Sequence, residues 1–112
     1  MQPLTYTLVV HSGPDDGLCH ERALAFAHAL CSRGHRLNRA FFYGAGARVA
    51  LPWDSSSLKN WQRLGEAGCE LVLCSASADR YGVEQPPQGF LIAGLGSLME
   101  AGLDADRIMS FA

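Results

Sequence analysis

The sequence predicts an α/β fold, a three-layer α/β/α sandwich with a mostly parallel sheet of four or five strands. Three observations support this prediction. Runs rich in β-branched and aromatic residues alternate with segments of helical periodicity along the whole chain. Glycines follow the predicted helices, and the first strand run is apolar on both faces, as in a strand that helices cover on both sides. The 112 residues are expected to form one domain, 1–112, without a linker or an internal repeat.

The first unit of the chain reads as strand, helix and strand. "LTYTLVVH" (4–11) is rich in β-branched and aromatic residues and predicts a strand. After the turn "SGPDDG", the segment 18–35 has apolar residues at helical spacing, and Gly34 is expected to end that helix. Strand character returns in "RLNRAFFY" (36–43).

A loop is predicted next, in "GAGARVALPWDSSS", with Asp54 or one of the serines after it as the cap of the following helix. This loop carries Val49, Leu51 and Trp53, which are expected to be exposed. Because exposed apolar patches mark partner surfaces, we expect the protein to work as part of an oligomer.

The second half of the chain repeats the alternation. "SLKNWQRLGEAG" predicts an amphipathic helix with Leu58, Trp61 and Leu64 on one face, ended by Gly68. A third strand is predicted at 69–74, a short helical turn in "ASADRYG" and a last strand at 106–111. The segment "FLIAGLGSLMEAG" leaves two possibilities open, a helix that contains glycines or a strand that turns into a helix.

Composition excludes several classes of protein. Apolar residues make up 48% of the chain and charged residues 18%, which excludes a disordered chain. The net charge is −2 and the nine basic residues are scattered, so no direct contact with nucleic acid is expected. No targeting segment and no spanning stretch of about 20 apolar residues is visible, which predicts a cytoplasmic protein without membrane contact. The four cysteines are therefore interpreted as thiols.

Cys74 is the candidate catalytic residue. It ends the third predicted strand, and chemistry in parallel sheets gathers at the carboxyl ends of strands, here 11–17, 43–46 and 74–77. A helix start follows, whose free backbone N–H groups favour an anion and therefore a thiolate. Ser75 and Ser77 are small and are expected to leave the sulfur accessible, and His11 could approach it. The alternative is that Cys74 is a small buried hydrophobic residue.

The other thiols are weaker candidates. Cys19 also precedes a helix and is the main rival, although a helix start disfavours a protonated His20 beside it. Cys31 and Cys69 are expected to be shielded by packing. The four histidines lack metal-ligand spacing, so no metal site is predicted. "GPDDG" lacks the Lys-Ser/Thr of a phosphate loop and "GLGSLM" lacks one glycine of a dinucleotide fingerprint, so no cofactor is predicted.

Four segments resemble the DsrE/TusD family of sulfur-relay subunits. They are "TLVVHSGPDDG…HERALAFAHALCSRGHRLNRAFFYGAGA", "NWQRL", "CELVLCSASADRYGV" and "QGFLIAGLGSLMEAGLDADRIMSF", which together span nearly the whole chain. Two loops, 80–88 and the one before Trp61, are shorter than is usual in the family.

The resemblance implies a cytoplasmic sulfurtransferase that holds sulfur as a persulfide on Cys74 and needs no cofactor. It implies assembly with homologous small subunits in a heterohexamer, an upstream persulfide donor and a downstream sulfur carrier. The pathway would be tRNA 2-thiouridine synthesis or bacterial sulfur oxidation. The alternative from another class is a non-catalytic subunit, which binds a nucleotide or flavin phosphate at "SGPDDG" or only completes an oligomer.

Overall fold

The computed structural model of the chain describes residues 2–51 and 55–112. Its elements, in chain order, are β1 (Thr5–Val10), α1 (Cys19–Ser32), β2 (Arg36–Phe42), a 3₁₀ helix (Gly44–Ala50), α2 (Ser55–Glu66), β3 (Glu70–Cys74), α3 (Ser75–Arg80), β4 (Phe90–Ala93), α4 (Leu95–Leu103) and β5 (Arg107–Phe111). Gly34 and Gly68 follow α1 and α2 with positive φ values of 86° and 112°, as expected of helix-ending glycines.

The five strands form one sheet in the order β4-β3-β2-β1-β5. Every neighbouring pair is parallel, and β1 lies between β2 and β5, with Leu8 opposite Ala40 on one side and Met109 on the other. The predicted α/β fold is therefore confirmed. The parallel arrangement brings the carboxyl ends of all five strands to one edge of the sheet.

Helices cover both faces of the sheet, but unequally. On one face, α1, α2, α3 and the 3₁₀ helix enclose the main core, whose largest fully buried side chains include Trp61, Phe42 and Leu73. On the opposite face α4 packs over a smaller cluster, where Leu98 contacts the group formed by Phe41, Val72 and Cys74. The result is the predicted three-layer sandwich.

The segment after β2 differs from its prediction. Residues 44–50 form a 3₁₀ helix rather than a loop, and Val49 is fully buried in the main core, so its predicted exposure is wrong. The reason is a close approach to β1, since a Cβ on Gly46 would lie 2.0 Å from the carbonyl oxygen of Val10. Leu51 is half-buried against the same core, and Trp53 and Asp54 lie outside the described residues.

Cys31 also departs from its prediction, because it is exposed. Leu30, one position earlier in the last turn of α1, is buried at 4% exposure. Consecutive helix residues are rotated by about 100°, so Cys31 faces away from the core that Leu30 enters.

The ambiguous segment is a strand followed by a helix, since β4 ends at Ala93 and α4 begins at Leu95. None of the helices within the described ranges has the length and apolar character that crossing a bilayer requires.

Candidate functional site

The carboxyl ends of β2 and β3 form a surface pocket of about 400 Å³. These strands are neighbours in the sheet, so the start of the 3₁₀ helix after β2 and the start of α3 face each other across this edge. The N-terminal end of α4 supplies the remaining wall. The pocket is lined by Tyr43, Gly44, Cys74, Ser75, Ala76, Ser77, Arg80 and Leu95.

Cys74 lies in this pocket as the last residue of β3, directly before α3. The sequence placed it correctly at a strand end, but its predicted exposure is wrong, because the residue is only 3% exposed. The cause is a long-range contact, since Leu98 of α4 packs against the cluster that contains Cys74. The thiol is therefore recessed, and a reacting group has to enter the pocket to reach it.

Ser77 fixes the shape of the pocket. Its Oγ accepts a hydrogen bond of 2.7 Å from the backbone N–H of Gly44, which ties α3 to the start of the 3₁₀ helix that follows β2. Ser77 is itself buried, whereas Ser75 is exposed in the pocket. The two serines predicted beside Cys74 thus have different roles, one structural and one facing the pocket.

Arg80 adds a positive charge to the pocket wall and was not predicted from the sequence. Its guanidinium lies over the ring of Tyr81, with 5.7 Å from Cζ to the ring centroid. Arg80 is the charged side chain among the residues that line this pocket. The available signal was the position of Arg80 in the last turn of the short helix that begins after Cys74.

His11 lies outside the pocket lining. Its ring contacts the ring of Tyr43 at a centroid distance of 5.8 Å, and β2 separates β1 from β3. The structure therefore does not bring His11 to Cys74 as the sequence suggested, although it joins His11 to the pocket residue Tyr43.

Cys19 and its neighbour His20 are buried in the main core. Cys19 is 3% exposed and His20 is fully buried. The indole N–H of Trp61 donates to His20 Nδ1 at 3.0 Å, and His20 Nε2 lies 2.8 Å from the carbonyl oxygen of Ser12. Because an indole can only donate, Nδ1 must accept and Nε2 must carry the proton, so this imidazole is neutral. His20 is therefore a structural residue and not a cationic partner of Cys19.

The remaining two thiols lie at the opposite edge of the sheet, where both line a depression of about 730 Å³. Burial raises the pKa of Cys69 to about 12, which keeps it protonated at neutral pH. Its predicted packing role is thus supported. Cys31 is exposed, so among the other three thiols it is the one that solvent can reach and the main alternative to Cys74 as the reactive cysteine.

In the turn "SGPDDG", the side chains of Asp15 and Asp16 engage the groups that a phosphate would need. Arg48 of the 3₁₀ helix pairs with Asp15 at 2.8 Å and with Asp16 at 3.4 Å, and the hydrogen bond with Arg48 lowers the pKa of Asp15. The backbone N–H of Gly13 donates to Asp16 Oδ2 at 2.9 Å. Two carboxylates and a satisfied amide argue against a phosphate site here. Across residues 2–51 and 55–112, no cluster of three His, Cys, Asp or Glu side chains could hold a metal ion.

Fold and site together define an α/β protein with a cysteine recessed at the carboxyl edge of a parallel sheet. The model of the DsrE/DsrF-like family matches residues 5–111, and the chain belongs to this family. The resemblance inferred from the four segments is therefore confirmed.

Relatives with curated names carry the comparison further. The "Sulfurtransferase TusD homolog" of Vibrio cholerae is 37% identical over 99% of this chain and 100% of its own length. "Sulfurtransferase TusD" of Serratia proteamaculans is 36% identical over 96% of this chain and 99% of its own. The alignment with the Vibrio protein spans 132 positions whereas this chain has 112 residues, so the relative contains insertions, in agreement with the shorter loops noted above.

Solved structures share the fold. The ychN protein from E. coli superposes with a TM-score of 0.84 at 22% identity, covering 99% of this chain and all of that one. The protein MTH1491 from Methanobacterium thermoautotrophicum has a TM-score of 0.79 at 15% identity, covering 95% of this chain and 98% of that one.

Proposed function

We propose that the protein is a sulfurtransferase subunit that accepts sulfur as a persulfide on Cys74 and passes it to a downstream carrier. Family membership and the relatives named Sulfurtransferase TusD support this class of activity. The observation that carries the assignment to Cys74 is its place in the pocket at the carboxyl edge of the sheet. None of the other three cysteines lines that pocket.

The reaction consists of two displacements at sulfur. In the first, the Cys74 thiolate attacks the outer sulfur of a donor persulfide, a new S–S bond forms, and the donor leaves as a thiolate. In the second, the thiolate of the acceptor attacks the outer sulfur on Cys74, which leaves as a thiolate in turn. The sulfane sulfur moves without net oxidation or reduction, so no cofactor is needed.

The pocket supports both displacements. In this proposal Arg80 supplies a positive charge to the pocket wall, and the exposed hydroxyl of Ser75 is available as a hydrogen-bond donor. The small exposure of Cys74 limits which thiols can reach the persulfide. Because exchange depends on access to the sulfur, the recess favours a partner that inserts its cysteine over small thiols in solution.

The biological setting that we propose is the sulfur relay of tRNA thiolation, in the cytoplasm, since the curated relatives carry the name TusD. The subunit receives sulfur from an upstream persulfide donor and delivers it to a downstream sulfur-carrier protein. It works with homologous small subunits in a heterohexamer and makes no direct contact with RNA. The relay requires no membrane contact.

The test is to incubate the protein with a cysteine desulfurase and cysteine, and then to map added sulfur on its peptides by mass spectrometry. We expect one added sulfur atom on Cys74, which a chase with a thiol acceptor removes. Cys74→Ser should lose the loading, whereas the control Cys31→Ser, which removes the exposed thiol, should keep it. Circular dichroism checks that each variant is folded.

The assignment is wrong if Cys74→Ser still carries transferable sulfur. Should Cys31→Ser or Cys19→Ser abolish loading in its place, that residue is the carrier. A wild type that acquires no sulfur from a working desulfurase and from other persulfide donors would contradict the sulfurtransferase activity itself.

A further inference from the structure

The carboxyl ends of the strands place a large side chain beside Cys74. In the parallel register, Phe42 of β2 lies opposite Leu73 of β3. The next residues along these strands, Tyr43 and Cys74, consequently lie opposite each other. Both have extended backbones, with φ and ψ of −112° and 144° at Tyr43 and of −60° and 128° at Cys74. On its other side Cys74 pairs with Ala93 of β4, so the thiol has a small neighbour on one strand and an aromatic ring on the other.

Tyr43 and Cys74 also lie on the same face of the sheet. Side chains alternate between the two faces along a strand. Phe42 belongs to the main core on one face, and Phe41 belongs with Cys74 to the cluster under α4 on the other. Tyr43, the residue after Phe42, therefore points to the face of Cys74, and both residues line the same pocket. Since neighbouring strands are about 4.8 Å apart, the phenol ring forms the wall next to the thiol.

The ring of Tyr43 is held in a fixed position. Its backbone N–H donates to the carbonyl oxygen of Val10 at 2.9 Å, and its carbonyl oxygen accepts the N–H of Gly46 at 3.0 Å. The ring of His11 packs against the ring of Tyr43 edge to face, with a centroid distance of 5.8 Å and an angle of 72° between the planes. Tyr43 nevertheless remains 40% exposed, so part of the ring stands at the mouth of the pocket.

We propose that Tyr43 is a specificity-determining residue whose ring shields the sulfur on Cys74 from small thiols in solution. Cys74 is only 3% exposed, although Ser75 and Ala76 directly after it are exposed, so the shielding comes from side chains that flank the thiol. Leu98 covers it from α4, and Tyr43 occupies the side of β2. The inference rests on the proposed function and names the side chain that closes this side of the recess.

A small thiol and a protein acceptor meet this ring differently. A protein that inserts its cysteine can bury the exposed part of the ring, and buried aromatic side chains contribute strongly to protein interfaces. A small thiol makes few such contacts and has to pass the ring to attack. In that attack its thiolate bonds to the outer sulfur, the S–S bond to Cys74 breaks, and Cys74 leaves as a thiolate. The small persulfide then carries the sulfur away, so a shield at Tyr43 prevents this loss.

The experiment measures how fast a small thiol removes sulfur from Cys74. The full chain is loaded with a cysteine desulfurase and cysteine, separated from the donor and treated with glutathione, and the persulfide on Cys74 is quantified over time by mass spectrometry. We expect Tyr43→Ala to lose its sulfur at least about tenfold faster than the wild type, because access limits the exchange. Tyr43→Phe keeps the ring and should retain the wild-type rate.

Tyr6→Ala is the matched control. Tyr6 lies at the amino end of β1, where its ring packs against Phe26, so this variant loses a tyrosine ring at the opposite edge of the sheet. It should release sulfur at the wild-type rate, which excludes general loosening of the fold as the cause. Circular dichroism verifies folding. If Tyr43→Ala does not fold, Tyr43→Leu carries the prediction with an increase of at least about threefold.

A second measurement uses the protein without added sulfur. Alkylation of the Cys74 thiol is followed by mass spectrometry with iodoacetamide and with the bulkier N-ethylmaleimide. Tyr43→Ala should speed the reaction with both reagents, and more with the bulkier one, whereas a change in the pKa of the thiol would speed both equally. The exposed Cys31 reports the activity of the reagents in the same samples and should react at an unchanged rate.

Three outcomes of the release experiment would overturn the proposal. They are a Tyr43→Ala protein that releases sulfur no faster than the wild type, a Tyr43→Phe protein as fast as Tyr43→Ala, and a Tyr6→Ala protein as fast as Tyr43→Ala. Together with normal sulfur loading, each of them leaves the proposed function intact. A wild type that acquires no sulfur would contradict the proposed function, whereas faster alkylation of Tyr43→Ala would still support the shield. Equal alkylation rates in Tyr43→Ala and the wild type would refute the shield in either case.

Discussion

Cys69 should make the protein lose stability in alkaline solution. Burial raises the pKa of its thiol from an ordinary value of 9.0 to about 12. Between these values the unfolded chain releases the proton and the folded chain keeps it, so the free energy of unfolding falls as pH rises. The slope approaches about 1.4 kcal/mol per pH unit. The loss is on the order of 1 kcal/mol at pH 10 and roughly 3 kcal/mol at pH 11, and it is negligible at pH 8.

The assay is urea unfolding of the wild type and of Cys69→Ala at pH 8, 10 and 11. Other groups titrate in this range, so the informative quantity is the difference between the two proteins. Cys69→Ala is destabilised at every pH by the same amount, because packing is lost. Its free energy of unfolding should nevertheless fall less between pH 8 and pH 11 than that of the wild type, and the difference should equal the loss attributed to Cys69 above. Cys31→Ala serves as the control: it removes an exposed thiol that adds only a minor part of the raised pKa of Cys69, so it should keep most of the pH dependence of the wild type, because burial is the main cause. Parallel pH profiles for the wild type and Cys69→Ala would refute the reasoning.

Two further predictions concern packing. Gly46→Ala should lower the free energy of unfolding by at least about 3 kcal/mol, because its Cβ would lie 2.0 Å from the carbonyl oxygen of Val10. Gly96→Ala is the control, because a Cβ at this position meets nothing within 4 Å. It should leave the stability unchanged or raise it by up to about 1 kcal/mol in thermal unfolding. Equal melting temperatures for the Gly46→Ala and Gly96→Ala proteins would contradict the close contact at Gly46. Trp61→Phe removes the indole N–H that donates to the buried Nδ1 of His20. The free energy of unfolding, measured in urea, should fall by about 1–3 kcal/mol more than the loss of ring volume explains. A further decrease below about 0.5 kcal/mol would show that this hydrogen bond contributes little to stability.

Much of the fold could be predicted from local pattern. Four of the five strands were found because β-branched and aromatic residues cluster between helical segments, and α2 was found because Trp61 and Leu64 recur on one face and are buried in the core. The segment from Phe90 to Leu103 could not be resolved, because glycines weaken a helix locally. Gly94 is extended and separates β4 from α4, whereas Gly96 is helical. Packing against the sheet stabilises that helix, and packing is not visible in local propensity.

The site was predictable in position but not in environment. The end of a parallel strand is a local property, so Cys74 could be placed at the carboxyl edge from the sequence. Its burial depends on Leu98, 24 positions later in the chain, and such a contact has no local signal. Tyr43 could be expected at the same edge, whereas Leu95 could not, because it comes from the segment whose structure was ambiguous. The error at Cys31 is of another kind, since a rotation of one residue in the last helical turn reverses its exposure.

Exposure alone is a poor guide to which of the four thiols would carry sulfur in the proposed relay. Cys31 is open to solvent, and a persulfide there would be within reach of every small thiol, so the sulfur would be lost instead of relayed. Cys69 is protonated at neutral pH and cannot act as a thiolate, and Cys19 lies in the main core. Cys74 combines a recessed position with a pocket wall that contains Arg80 and Leu95. A carrier has to hold a reactive sulfur until the correct acceptor arrives. A recessed cysteine meets this requirement better than an exposed one, because an acceptor has to insert its own thiol into the pocket before it can take the sulfur.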